Sequence, residues 1–156
     1  MSSSPDTSLP PIDQILDDFE FLDDWEDRYR YVIELGRKLP PFEETRRTAE
    51  NKVQGCVSQV WLSSDVVAGG AGNGEGPRLT FQGDSDAHIV RGLIAVLFAV
   101  FNNHTPAEIL EADPSGVFFK LGLRDHLTPQ RSNGLNSMVE RVKRDARQAQ
   151  QETTAS

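Results

Sequence analysis

Cysteine is almost missing: the 156 residues contain one, Cys56. A single thiol excludes an internal disulfide framework and a cysteine-rich structural zinc site. Iron–sulfur clusters are held by about four thiolates, so this chain alone does not ligate one. Three roles stay open for Cys56: a buried inert side chain, a reactive nucleophile, or half of an intermolecular disulfide. Positive charge is also in short supply, with 16 Lys and Arg against 24 Asp and Glu, a net charge of −8. That balance argues against a nucleic-acid partner, which needs a basic footprint. The longest apolar run, from Gly92 to Phe101, is about half a membrane span, so no membrane partner is expected. The opening MSSSPDTSLP lacks the basic and apolar regions of a secretory signal. A reducing, cytoplasmic location suits an unpaired thiol.

What is present reads as one globular domain. Hydrophobic residues make up 37% and charged residues 26%, too apolar for wholesale disorder. A chain of this length buries roughly 68–70% of its unfolded surface and folds without staples. The composition places disordered tails at 1–10 and 151–156 around a single domain over 11–150.

Hydrophobic periodicity predicts helices over 12–22 and 25–39, the second with Gly36 on its inner face and with Asp23 and Glu26 as a capping box. Pro40-Pro41 stops it, and 40–52 reads as irregular. A strand is expected over about Val57 to Val67, with Val60 and Leu62 on one face and Trp61 on the other. Gly69 to Gly76 reads as a hairpin loop, and Arg78 to Gln82 as the return strand. Asp84, Ser85 and Asp86 are candidate N-caps for a buried helix over 87–101. Thr105-Pro106-Ala107-Glu108 is a capping box for a short helix through Ala112. A short helix over 116–121 follows, then a long one over 129–150 with Leu135, Met138, Val139, Val142 and Ala146 as its stripe.

Cys56 lies between Gly55 and the start of a strand, and Gly55 permits a sharp backbone turn there. Its bland role is that of a small core hydrophobe. Arg46, Arg47 and Lys52 favour a thiolate if they fold over it and are otherwise solvated loop charges. His88, His104 and His126 are spaced too widely for a compact metal motif, so no metal site is expected. The loop GGAGNGEG lacks the Gly-Lys-Ser/Thr ending of a phosphate loop and joins two strands. Residues 1–27 carry nine acids and no base, whereas 120–147 carry seven bases and three acids. That asymmetry suits a docking dipole or two ordinary solvated faces.

Four stretches, in order, resemble the SufE family. They are Tyr31–Gly36 followed by Leu39-Pro40, then Gln54–Trp61 (QGCVSQVW), then Gly83–Ala95 (GDSDAHIVRGLIA), then His126–Leu135 (HLTPQRSNGL). The resemblance covers about residues 12–147. It implies an α+β fold, with a small curved antiparallel sheet packed by helices, similar to the IscU scaffold. It implies that Cys56 accepts a sulfur atom as a persulfide from a pyridoxal-phosphate cysteine desulfurase of SufS-like type and stimulates that enzyme. The sulfur then passes to an iron–sulfur scaffold of SufBCD-like type. One thiol suits a carrier better than a scaffold. Gly55, Asp86 and Arg131 become candidates for positioning the loop or contacting the desulfurase; their ordinary roles are a turn, a helix cap and a surface ion pair. No cofactor of the chain's own is implied, and either a monomer or a homodimer fits. The alternative is a non-catalytic binding module that regulates a desulfurase or scaffold, with Cys56 structural. An independent thiol hydrolase is a further alternative, disfavoured by the lack of a nearby His or Asn.

Overall fold

A computed structural model describes residues 10–55, 59–67 and 77–155. The chain forms helices α1 (Ile12–Glu20) and α2 (Trp25–Arg37), a 3-10 turn at Glu44–Arg46, and strands β1 (Val60–Val67) and β2 (Arg78–Ser85). Helices α3 (His88–Phe101), α4 (Pro106–Glu111), α5 (Pro114–Lys120), α6 (Leu123–His126) and α7 (Pro129–Ala155) complete it. This is the expected α+β arrangement: a small antiparallel sheet packed by helices.

The buried helix is where its apolar residues put it. Ten residues of α3 are buried, among them Leu93, Ile94, Leu97 and Phe101. A helix apolar on nearly all sides has to be surrounded. The helix α2 lies against one side of α3 at very close range, and two glycines permit it. A Cβ on Gly92 would sit 2.2 Å from the Val32 carbonyl oxygen, and one on Gly36 would sit 2.7 Å from the Gly92 nitrogen. The sheet covers another side of α3, with Val60, Leu62, Leu79 and Phe81 buried. Phe81 stacks on Phe98 with ring centroids 5.7 Å apart. The helix α1 is pinned to α2 by polar contacts at its rim. Tyr31 donates to Asp18 at 2.6 Å, and Arg28 donates to the Phe19 carbonyl at 3.0 Å. Burial, and then the Asp18 carboxylate, push the Tyr31 phenol well above its ordinary pKa.

Strands β1 and β2 pair from Val60↔Ser85 to Val67↔Arg78. Trp61 turns to the opposite face from Val60 and Leu62, as alternation requires. Part of each outer edge of the ribbon is covered. Val53 donates to the Val60 carbonyl and Leu62 to the Asn51 carbonyl, each at 2.8 Å. On the β2 side, Asn103 donates to Leu79 at 2.7 Å and Leu79 to His104 at 2.9 Å. Covering an edge removes a template for unwanted strand pairing.

Several boundaries differ from expectation. The cap of α2 is Asp24, not Asp23: it directly precedes the first helical residue and accepts from the Glu26 N–H at 3.2 Å. β1 starts at Val60, because the Gln59 N–H is taken by a side chain instead of a ladder partner. β2 runs on through Gly83-Asp84-Ser85, whose turn-forming composition hid three residues of strand. Asp84 and Asp86 do not cap α3; the N-cap is Ala87 without a side-chain bond, and Ser85 Oγ accepts from the Ala87 N–H. Residues 51–53, expected to be irregular, pair with β1. The helix α7 continues to Ala155, so the expected tail at 151–156 is helical up to there; no proline or glycine intervenes to stop it. The hairpin loop assigned to Gly69–Gly76, and the N-terminal tail apart from Pro10, lie outside the described residues. The Thr105–Glu108 capping box forms as expected, and it holds the Glu108 carboxyl below its ordinary pKa through the Thr105 N–H.

The α2–α3 contact makes a direct prediction. Gly92→Ala forces a methyl into the Val32 backbone, and overpacking of this kind costs about 1–3 kcal/mol. A chain of this size loses roughly 2–4 °C of melting temperature per kcal/mol. Thermal unfolding followed by circular dichroism measures it, and an unchanged midpoint would mean the two helices are not this close in solution.

Candidate functional site

The pairing of 51–53 with 60–62 makes a second hairpin, tighter than the β1–β2 ribbon. Its two arms close at Val53 and Val60, and the six residues Gln54 to Gln59 connect them. Cys56, the one thiol, is in that connection, and with Val57 and Ser58 it lies outside the described residues. Val60, at the start of the outgoing arm, is fully buried in the core.

The two ends of the connection meet different neighbours. Gly55 has φ +88, a left-handed conformation that suits glycine, and a Cβ there would meet Ser137 Oγ on α7 at 2.6 Å. At the other end, Gln59 N–H donates to Asp86 Oδ1 at 3.1 Å, and the Asp86 N–H donates back to the Gln59 carbonyl at 3.4 Å. Asp86 therefore bonds Gln59 and not the first turn of α3.

Asp84, two residues earlier, turns the other way. It accepts from Arg47 Nη2 at 2.5 Å and lies 3.2 Å from Arg91 Nε. Arg47 also stacks over Trp61, at 4.9 Å from its centroid, and over Phe42, at 5.2 Å. The Asp84 hydrogen bond raises the Arg47 pKa further above its already high value. Arg46 donates to Asp65 at 2.8 Å and to Ser63 at 2.9 Å. Carboxylates thus occupy both arginines, whereas Lys52 is exposed on the incoming arm.

Arg131 is on a different contact. Its Nη1 donates to the Tyr29 hydroxyl at 3.3 Å, and its N–H to the Thr128 cap at 3.2 Å. Beside it His126 stacks on Trp25, with centroids 3.9 Å apart. The HLTPQR segment thus docks α7 onto α2. The structure brings Gly55 and Asp86 to the two ends of the Cys56 loop; among the described residues no hydrogen bond joins Arg131 to it.

Sequence reasoning missed the polar side of α7. Arg141 Nε donates to Asp145 at 3.1 Å, Nη1 to the Glu50 carbonyl at 3.0 Å and Nη2 to Asn51 Oδ1 at 2.9 Å. Asp145 accepts from Ser64 Oγ at 3.0 Å. The only hint was the four-residue spacing of Ser137, Arg141 and Asp145. Next to it a cleft of about 450 Å3 opens beside Val53 and Gln54, edged by Lys52, Glu140, Arg144 and Arg147. Among the described residues no group of three or more His, Cys, Asp or Glu could hold a metal. No helix there is long and apolar enough to cross a membrane.

The Gly55 geometry is testable by stability. Gly55→Ala places an L-residue in left-handed backbone, at a cost of about 1–2 kcal/mol, and adds the overlap with Ser137. Combining it with Ser137→Ala relieves the overlap but keeps the backbone cost. Urea unfolding of both should therefore rank wild type above the double variant, and the double variant above Gly55→Ala. Equal stability of all three would contradict the positive φ.

The comparisons with known proteins agree with this architecture. An uncharacterized SufE-like protein of Rhizobium meliloti is 57% identical over 138 residues, 88% of this chain and 96% of that protein. A SufE-like protein of Rhizobium etli, also uncharacterized, is 55% identical over 139 residues, 89% of this chain and 91% of that protein. The solution structure of a hypothetical protein from Thermus thermophilus shares the fold. Its TM-score is 0.69 at 24% identity, over 92% of this chain and 99% of that one. The SufE profile, described as an Fe-S metabolism associated domain, matches residues 13–146, nearly the whole helical and sheet framework. The chain belongs to the SufE family, with a role in iron–sulfur metabolism.

Proposed function

We propose that the protein is a sulfur carrier that accepts sulfur on Cys56 from a cysteine desulfurase, stimulates that enzyme, and passes the sulfur to an iron–sulfur scaffold. The observation that carries the reading is the position of the sole thiol. It falls in a six-residue connection that lies against α7 at Gly55, beside Ser137, and is hydrogen-bonded to Asp86 at Gln59. A carrier needs one nucleophilic sulfur at a point that a second protein can reach.

The chemistry is thiol exchange. The Cys56 thiolate attacks the outer sulfur of a persulfide on the donor enzyme. A new S–S bond forms at Cys56, the donor's S–S bond breaks, and the donor cysteine leaves as a thiolate. The proton on the outer sulfur stays there, and no net oxidation or reduction occurs. Cys56 then carries –S–SH, and a second thiolate on the scaffold repeats the exchange. In this reading Gly55 and Asp86 set the two ends of the loop. Arg131 acts on α7's seating against α2, and contacts the desulfurase only if the partner covers that edge. The excess of acids near the N-terminus and of bases near the C-terminus steers the encounter.

Intact-mass analysis after incubation with a cysteine desulfurase and free cysteine tests the reading. Wild type gains one sulfur that a reductant removes, and Cys56→Ser gains none. Asp86→Ala, which frees the Gln59 N–H, changes the uptake rate by about threefold or more, in line with the loss of one charge-assisted hydrogen bond. Asp86→Asn, which keeps an acceptor oxygen, changes it less. A serine variant that stimulates the desulfurase as well as wild type would sink the carrier mechanism and favour a regulatory binding module.

A further inference from the structure

Ser137, Arg141 and Asp145 stand one turn apart on α7, so they share one face of the helix. Each touches the tight hairpin, or β1 just beyond it, at a different height. Ser137 fills the space beside Gly55 at the end of the connection. Arg141 bonds the incoming arm at Glu50 and Asn51. Asp145 accepts from Ser64 on β1, two residues beyond the outgoing arm. Arg141 and Asp145 have side chains only 10% and 8% exposed. Asn51 relays the contact, its Nδ2 donating to the Arg46 carbonyl at 2.9 Å.

Burying a charged pair is costly, and apolar residues of similar size often stabilise as well. The adjacent face of α7 already anchors the helix with Leu135, Met138, Val142 and Ala146, all buried. Apolar packing is non-directional, whereas an arginine whose three nitrogens serve three different acceptors admits one arrangement. The stripe therefore supplies register more than it supplies adhesion. We propose that Ser137, Arg141 and Asp145 are positioning residues that fix the height of the 51–62 hairpin against α7, and so the presentation of the loop between its arms. The inference rests on Cys56 being the acceptor for its functional consequence, but not for its structural one.

The test compares Arg141→Ala and Arg141→Lys with wild type on three readouts: melting temperature, the alkylation rate of Cys56 by iodoacetamide, and sulfur uptake at varied desulfurase concentration. Arg141→Ala should change the alkylation rate by about threefold or more, since a hydrogen-bonded register is lost. Its saturating uptake rate should fall about tenfold or more, while the half-saturating concentration moves less than about threefold, as misplacement of a reacting group predicts. Arg141→Lys keeps a charge for Asp145 but not the fork onto Glu50 and Asn51, so it should regain melting temperature without regaining uptake. If Arg141→Ala does not fold, Asn51→Ala removes the Nη2 contact and the relay to the Arg46 carbonyl while leaving the Asp145 and Glu50 contacts, and should move alkylation and uptake in the same directions. Wild-type alkylation in a folded variant overturns the proposal, and so does full recovery of uptake by Arg141→Lys. A wild type that accepts no sulfur removes the acceptor role of Cys56, and the alkylation arm still decides the positioning.

Discussion

The burial of α3 is the constraint on which the other elements depend. A fully buried Leu, Ile, Val or Phe side chain contributes about 1.5–3 kcal/mol, and this helix presents such residues around most of its circumference. It can be stable only if most of its sides are covered. The paired glycines bring α2 to backbone contact on one side, and the two-stranded ribbon covers another. A ribbon of two strands is marginal alone in water. Here it is held because α3 supplies the apolar surface that its inner face needs.

The seating of α3 also decides where the two aspartates before it go. Ser85 ends β2 on the buried face, so Asp84 and Asp86 flank it from more open positions. Asp84 meets two arginines and ties the 3-10 turn to the sheet. Asp86 meets the backbone at Gln59. The rigid core thus reaches the Cys56 connection through a single carboxylate at one end and through α7 at the other. That arrangement suits a group offered to another protein from a firm base, as the proposed sulfur-carrier role requires.

The likeness to known proteins spans very different degrees of sequence identity. The Rhizobium proteins keep more than half of the residues, and the Thermus protein about a quarter, yet the latter retains the fold across most of the chain. Cores tolerate extensive substitution when volume and patterning are kept, so a fold organised around one apolar helix is expected to persist at low identity.

By itself the sequence determined the elements whose signals are local. The 3.6-residue periodicity marked α2, α3 and the body of α7, and the Thr105–Glu108 box marked the start of α4. The single cysteine and the QGCVSQVW segment pointed to Cys56 as the residue of interest. Only the tertiary structure decided which partners the polar side chains take. Asp86 looked like a cap because caps and loop anchors use the same residue type at the same kind of junction. Residues 51–53 looked irregular because Asn, Lys and Val carry no strand pattern in three positions, and their pairing comes from β1. Arg141 and Asn51 are 90 residues apart, and a polar stripe at four-residue spacing is indistinguishable from a solvated helix face until the neighbouring hairpin covers it. Local periodicity reports which face of an element is apolar; it carries no information about which distant backbone will meet the polar one.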